Sequence, residues 1–323
     1  MIMKKALVIG INDYPTAPLR GCENDAISMR TVLESNADGS PNFDVRLELN
    51  VPSKSELKTL IIDLFSGEAD TCLLYFSGHG FLDDLGGGYI VTPDAQPNDL
   101  GISMDDILNH ANKSACKNKV IILDCCHSGA FGTPTGDNKA NIGDGISILT
   151  ASKNNEYSLE IGGHGVFTTL LLEALKGGAA DLRGHITPGS IYAFIDQALG
   201  PWDQRPVFKT NINRFTSLRE VTPQIPLQTL RDIVNLFVNP TEEIILDPSF
   251  EFTNDKSVVH DYKEPYAVAN NVATFKKLQQ MNRVGLVVPV DEDHMYFAAM
   301  NSRSCKLTAL GYHYWRLVRD KRI

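Results

Sequence analysis

Short apolar runs and amphipathic stretches alternate along the first two hundred residues. The runs fall at residues 5–11, 44–49, 71–77, 119–124 and 146–150, with a shorter one at Pro206-Val207-Phe208. Apolar signals of this length predict strands, buried on both faces where the run is continuous. Between them, residues 25–34, 55–65, 104–112, 165–175 and 188–199 place apolar side chains at i, i+3 and i+4, the spacing of helices packed on one side. This alternation predicts an α/β architecture, a mostly parallel sheet with helices on both faces. Residues 132–145 are polar and glycine-rich and predict an exposed loop. Beyond Val221 the pattern changes. Pro223 and Pro226 mark a linker, which separates residues 1–220 from a smaller α+β part at 221–323.

Two of the apolar runs end in reactive side chains. Val120-Ile121-Ile122-Leu123-Asp124 leads into Cys125-Cys126-His127-Ser128-Gly129, and Leu73-Leu74-Tyr75-Phe76-Ser77 leads into Gly78-His79-Gly80. Neighbouring parallel strands would bring a thiol and an imidazole together at the carboxyl edge of the sheet, where open α/β folds keep their active sites. A thiol is only a few per cent ionised at neutral pH, so an adjacent imidazole that takes its proton makes the attacking thiolate. The glycines leave room for a substrate backbone, and the amides of Gly80, Cys126 and Gly129 are candidate donors to the oxyanion of a tetrahedral intermediate. Strand alternation puts Asp124 and Cys126 on one face and turns Cys125 toward the core. His164, in a second Gly-His-Gly string, follows a loop rather than an apolar run and reads as a loop histidine.

Ser77-Gly78-His79-Gly80 followed by Asp124-Cys125-Cys126-His127-Ser128-Gly129 resembles the His and Cys boxes of the caspase-like cysteine peptidases, in particular the metacaspase and prokaryotic branch. Ala6 to Tyr14, Leu19 to Ala26, and Gly165 to Thr168 with the apolar segment after them resemble further pieces of that family in the same order. The resemblance spans residues 4 to 215. It implies Cys126 as nucleophile, His79 as general acid/base and Cys125 as a bystander. It also implies division into a large-subunit part at about 1–131, the loop at 132–145, and a small-subunit part at 146–220. Self-cleavage in that loop would follow Lys139, the only basic residue in it.

The same resemblance bears on specificity. Animal caspases that cut after aspartate carry a Gln two residues before the nucleophile; here that position is Asp124. A carboxylate in a partly desolvated pocket repels an acidic side chain and attracts Arg or Lys. Asp25, Ser77 and Cys22 match further positions of the basic-residue pocket of metacaspases. Two readings compete with this one. Asp124 ends a strand and is also placed as a simple cap, and Arg20, offset by one residue from the caspase arginine, would neutralise the pocket if it entered it. The expected function is a cysteine endopeptidase cutting proteins after Arg or Lys. The alternatives are an Asp-specific protease or a protease-fold scaffold.

The net charge of −9 lies wholly in the first part. Residues 221–323 hold twelve Lys/Arg and twelve Asp/Glu, which leaves eighteen against twenty-seven in residues 1–220. An acidic domain suits basic segments of protein substrates and disfavours nucleic acid. Cysteines at 22, 72, 116, 125, 126 and 305 form no metal-type pairs and no evident disulfide framework, which suggests a reducing, cytoplasmic setting. No stretch approaches the roughly twenty apolar residues of a membrane span. The resemblance leaves calcium open as an activator. Asp83, Asp84, Asp94 and Asp99 are available for it, without EF-hand spacing, and no other cofactor is expected.

In the last hundred residues, 273–281 predict a helix, 285–290 and 296–300 two strands, and 307–318 a closing helix. This order resembles a winged helix. Its balanced charge favours a protein-interaction role, such as docking an upstream activator, over DNA binding. The family resemblance implies a stress, cell-death or immune pathway.

Overall fold

The computed structural model describes residues 3–83, 87–97, 99–125, 142–151, 165–199, 206–257, 259 and 261–323, and the backbone alone at 160–161 and 164. Two compact units divide the chain, Met1–Thr222 and Pro223–Ile323.

The first unit is built on a six-stranded sheet. Its strands are β1 (Lys4–Gly10), β2 (Asp44–Leu49), β3 (Thr71–Ser77), β7 (Asn118–Asp124), β8 (Ile146–Thr150) and β12 (Val207–Asn211), in the order β12-β8-β7-β3-β1-β2. All neighbours run parallel except β12, which is antiparallel to β8. The parallel arrangement requires both faces to be covered. Helices α2 (Lys54–Phe65) and α3 (Met104–Lys113) bury one face around Leu7, Ile9, Leu74, Phe76, Ile121 and Leu123. Helices α1 (Cys22–Leu33), α4 (Val166–Glu173) and α5 (Pro188–Leu199) bury the other around Ala6, Val8, Leu73, Tyr75, Val120 and Ile122. Burying each of the Val, Leu, Ile and Phe side chains among these contributes about 1.5–3 kcal/mol relative to leaving it in water. The odd-even split along β1, β3 and β7 is the two-residue period of extended chain.

These strands and helices lie where the apolar periodicity predicts them, within a few residues at each end. Helices α2 and α3 start where Ser53 and Ser103 accept from the backbone N–H of Glu56 and Asp106. A second, three-stranded antiparallel sheet of β4 (Gly80–Leu82), β5 (Gly88–Gln96) and β6 (Asp99–Ser103) was not legible in that periodicity. It leaves the main sheet directly after His79. Short hairpins complete the unit, β9 (Glu160–Ile161) with β10 (His164–Gly165) and β11 (His185–Ile186) with β13 (Arg219–Glu220). Residues 142–145, the end of the expected loop, make a turn into β8, where the amide of Gly145 donates to the carbonyl of Asn211.

The second unit is α+β: α6 (Leu227–Arg231), α7 (Ile233–Leu236), β14 (Ile244–Ile245), α8 (Ala269–Arg283), β15 (Val287–Val290), α9 (Met295–Met300), β16 (Ser304–Leu307) and α10 (Ala309–Arg319). Its antiparallel sheet has the order β14-β16-β15. The expected strand at 296–300 is the helix α9, and the second strand follows it as β16. Met295, Ala298 and Ala299 are buried at i, i+3 and i+4, so the apolar run follows helical period. Helix, strand, helix, strand, helix is therefore the order here, in place of the helix, strand, strand, helix on which the winged-helix likeness rests. Among the described residues no helix is long and apolar enough to cross a membrane.

Candidate active site

Gly10, Ser77 and Asp124 stand side by side where β1, β3 and β7 end. Ser77 follows Tyr75 and Asp124 follows Ile122 on the face covered by α1 and α4, so both side chains point toward those helices. Beyond this row the strands lead into the His79 and Cys125 segments. Gly78 joins the two by donating its amide to the carbonyl of Asp124 at 3.3 Å.

His79 is held by its backbone and its ring. Its amide donates to the Tyr14 hydroxyl at 3.0 Å, its carbonyl accepts from the Val91 amide at 2.9 Å, and the Tyr14 hydroxyl in turn donates to the Val91 carbonyl at 3.2 Å. The Tyr14 and His79 rings meet edge to face with centroids 4.5 Å apart. The imidazole Nε2 lies 2.7 Å from the Ala17 carbonyl. A carbonyl only accepts, so Nε2 carries the proton in the neutral ring and Nδ1 is the basic nitrogen. Burial raises the Tyr14 phenol well above its ordinary range, and the nearby thiols of Cys22 and Cys125 act in the same direction. Tyr14 therefore stays a neutral donor at any working pH.

The loop from Ile11 to Gly21 that carries Tyr14 and Ala17 is fixed by Asn12. Its Oδ1 accepts from the Cys22 amide at 3.0 Å, taking one of the unpaired donors at the start of α1, and its Nδ2 donates to Glu23 at 2.9 Å. Asn50 accepts from the Asn12 amide and donates to the same Glu23. Helix α1 is thereby seated with Asp25 in its first turn. Asp25 is 2% exposed, and one of its oxygens accepts from the Ser77 hydroxyl at 3.0 Å.

Asp124 faces the start of α4. Its Oδ2 accepts from the Thr168 hydroxyl at 2.6 Å, and the Thr168 amide, one of the first-turn donors of that helix, also points to it. Asp124 keeps a partly exposed face but is otherwise closely enclosed. Burial pushes its carboxyl up to about 6, the negative Asp25 adds to this, and the Thr168 hydrogen bonds oppose it. Gly165 lies against both acids. A Cβ at this position would come within 3.0 Å of Asp124 Oδ2 and 3.8 Å of Asp25 Oδ2. The two carboxylates therefore converge on one small space at the carboxyl edge of the sheet.

Of the residues expected from sequence, His79, Ser77, Asp25, Asp124 and Cys22 gather at this edge, with Gly80 beginning β4 beside them. Cys22 is buried at the first position of α1. Cys125 is 5% exposed and packs into the core on the α2 and α3 side, as alternation requires. Arg20 is exposed, and only its carbonyl takes part in the loop network, accepting from Asn12 at 3.3 Å. Cys126, Gly129 and Lys139, and the side chain of His164, lie outside the described residues. Tyr14, Asn12, Tyr75, Gly165 and Thr168 were not singled out as site residues in the sequence. Their backbone and hydroxyl contacts arise from chain segments far apart, and no local pattern announces them.

The acids considered for calcium are otherwise engaged. Asp94 accepts from the Lys54 amide and the Thr92 hydroxyl, Asp99 pairs with the Lys54 ammonium at 2.5 Å, and Asp83 accepts from the Gly87 amide and the Tyr89 hydroxyl. These carboxylates do not form a cage, Asp84 lies outside the described residues, and no three His, Cys, Asp or Glu side chains among the described residues are grouped to hold a metal ion.

A family model described as the caspase domain, of the C14 peptidases, matches residues 3–216, about two thirds of the chain and nearly all of the first unit. The chain belongs to this family. Its first unit is a caspase-family cysteine peptidase domain, whose substrates are proteins. No curated protein matches the chain significantly.

Proposed function

We propose that the protein is a metacaspase-like endopeptidase that cuts proteins after arginine or lysine. Cys126 is the nucleophile and His79 its base. The Cys126 thiol gives its proton to His79 Nδ1 as its sulfur bonds to the scissile carbonyl carbon. The imidazolium then protonates the departing amine as the C–N bond breaks. Water, deprotonated by His79, hydrolyses the thioester and regenerates the thiol. The amides of Gly80 and Cys126 are the donors assigned to the oxyanion.

The observation that carries the specificity is the convergence of Asp25 and Asp124 on the space beside Gly165, next to the His79 turn. Two carboxylates there favour a guanidinium or ammonium and oppose an aspartate side chain. Ser77 and Cys22 line the same pocket. The exposure of Arg20 speaks against a pocket neutralised by that residue. Self-cleavage after Lys139 and an activator-docking role for residues 221–323 complete the reading, in the stress, cell-death or immune setting of related peptidases.

The test is hydrolysis of fluorogenic peptides with Arg, Lys or Asp before the scissile bond, by the full chain and its Cys126→Ala variant, with and without calcium. Cleavage after Arg and Lys, lost in the variant, is expected. Cleavage confined to Asp peptides, or activity that survives Cys126→Ala, would overturn it.

A further inference from the structure

We propose that Thr168 is a positioning residue that keeps Asp124 ionised and aimed into the pocket, and that Tyr75 sets the direction of the hydrogen bond by which it does so. This deepens the reading of Asp124 as a receptor for basic side chains and rests on it.

Thr168 is fully buried in the first turn of α4, with its hydroxyl 2.6 Å from Asp124 Oδ2 on one side and 2.6 Å from the Tyr75 hydroxyl on the other. Tyr75 is itself fully buried on β3. A threonine hydroxyl carries one proton and can donate it to only one of these neighbours. Tyr75 cannot become an anion, because burial and the charges of Asp124 and Asp25 hold its phenol well above its ordinary range. It therefore remains a donor. When Tyr75 donates to Thr168, the Thr168 proton is committed to Asp124, and an ionised carboxylate is the acceptor that this chain best serves. Thr168 would have to turn its proton toward Tyr75 to receive one from a protonated Asp124, and the Tyr75 proton would then have to move to the Ser77 oxygen, giving up the charge-assisted bond that Thr168 makes to the ionised carboxylate. The chain Tyr75 to Thr168 to Asp124 thus favours the charged form that binds a cation. It works against the burial of Asp124 and against Asp25, which faces it from α1. Ser77, the other hydroxyl near Tyr75, donates to Asp25.

The experiment measures the affinity of benzamidine, a small amidinium, for the full chain carrying Cys126→Ala across pH 5 to 8. His79 is unchanged in every variant, so whatever it contributes is common to all. Affinity should rise with pH as Asp124 ionises. Adding Thr168→Val, which keeps the shape and removes the hydroxyl, should move the midpoint upward by about one pH unit or more, the effect of losing one charge-assisted hydrogen bond. Thr168→Ser should restore the original midpoint, and Tyr75→Phe should shift it in the same direction as Val by a smaller amount. Tyr75→Phe also serves as the reporter if Thr168→Val does not fold. A Val midpoint equal to that of the parent, or a Ser variant that behaves like Val, overturns the role of Thr168 while leaving the basic pocket standing. Absence of benzamidine binding at every pH in the parent protein overturns the pocket itself.

Discussion

The Tyr14 hydroxyl accepts the backbone N–H of His79 at 3.0 Å while its ring packs edge-on against the imidazole. This one side chain, from the loop after β1, fixes both the turn that follows β3 and the ring that turn displays. Tyr14→Phe keeps the ring contact and removes the hydroxyl. It leaves the His79 amide and the Val91 carbonyl without that partner, at a cost of about 1–3 kcal/mol in stability. We expect kcat on the preferred peptide to fall about tenfold, since about 1.4 kcal/mol of lost transition-state alignment has that effect, with KM little changed. Steady-state kinetics beside a thermal melt test this, and a rise in KM at constant kcat would place Tyr14 in substrate binding instead.

If Asp124 receives the basic side chain as proposed, it sets activity against stability. The folded protein holds the Asp124 proton more tightly than the unfolded chain does, since its carboxyl is pushed up from 3.8 to about 6. This group therefore supports the fold below pH about 4, and that support is lost as the pH rises through about 6. Above both values the ionised carboxylate opposes folding by about 1–3 kcal/mol, allowing for solvent at its open face. Asp124→Asn should thus raise the melting temperature by several degrees at pH 7.5 and leave it nearly unchanged at pH 4. The same variant should lose most cleavage after Arg and Lys. Melting curves at the two pH values check the first expectation, and an Asn variant less stable at pH 7.5 would refute it.

Much of this site was legible in the sequence because strand ends carry it. Apolar runs located β3 and β7, and a two-residue period was enough to assign Asp124 and Cys125 to opposite faces. The carboxyl edge of a parallel sheet then supplied the meeting place of the His79 and Cys125 segments. What escaped was the support around them. Tyr14, Asn12 and Thr168 act through contacts that span 8 to 93 positions of chain, and each is an ordinary residue in its own neighbourhood. The sheet of β4 to β6 escaped because β4 and β6 are short and β5 leaves the apolar alternation at Thr92-Pro93-Asp94. Helix α9 stands where a strand is expected at 296–300, since Met295, Ala298 and Ala299 bury at helical period.

Gly165 tests the pocket by volume. Its backbone angles, φ −62° and ψ 146°, suit any residue, so alanine introduces no backbone strain there. The added methyl would instead occupy the space within 3.0 Å of Asp124 Oδ2. Gly165→Ala should lower the melting temperature by a few degrees, because the methyl presses on the enclosed Asp124 carboxylate and alanine caps the start of α4 less well than glycine, together a cost of about 1 kcal/mol. It should raise KM for Arg peptides at least tenfold. Unchanged KM would mean that the side chain before the scissile bond does not reach between the two acids.

The second unit depends on Asn254, which is fully buried. Its Nδ2 lies within hydrogen-bond distance of the carbonyls of Pro248, Lys263 and Pro265, and its Oδ1 accepts from the Lys263 amide. These contacts close the irregular segment between the Pro248–Phe250 turn and α8, which has little regular secondary structure to satisfy its backbone. Asn254→Ala leaves several buried polar groups without their partner at once, each costing about 1–3 kcal/mol. We therefore expect this unit to lose its cooperative melting, with the loss centred on residues 247–268. Hydrogen exchange of the full chain reads the outcome directly. Amides around α8 and Trp315 should lose protection while those of β3 and β7 keep it, whereas retained protection at residues 247–268 would show that the segment is held by other contacts.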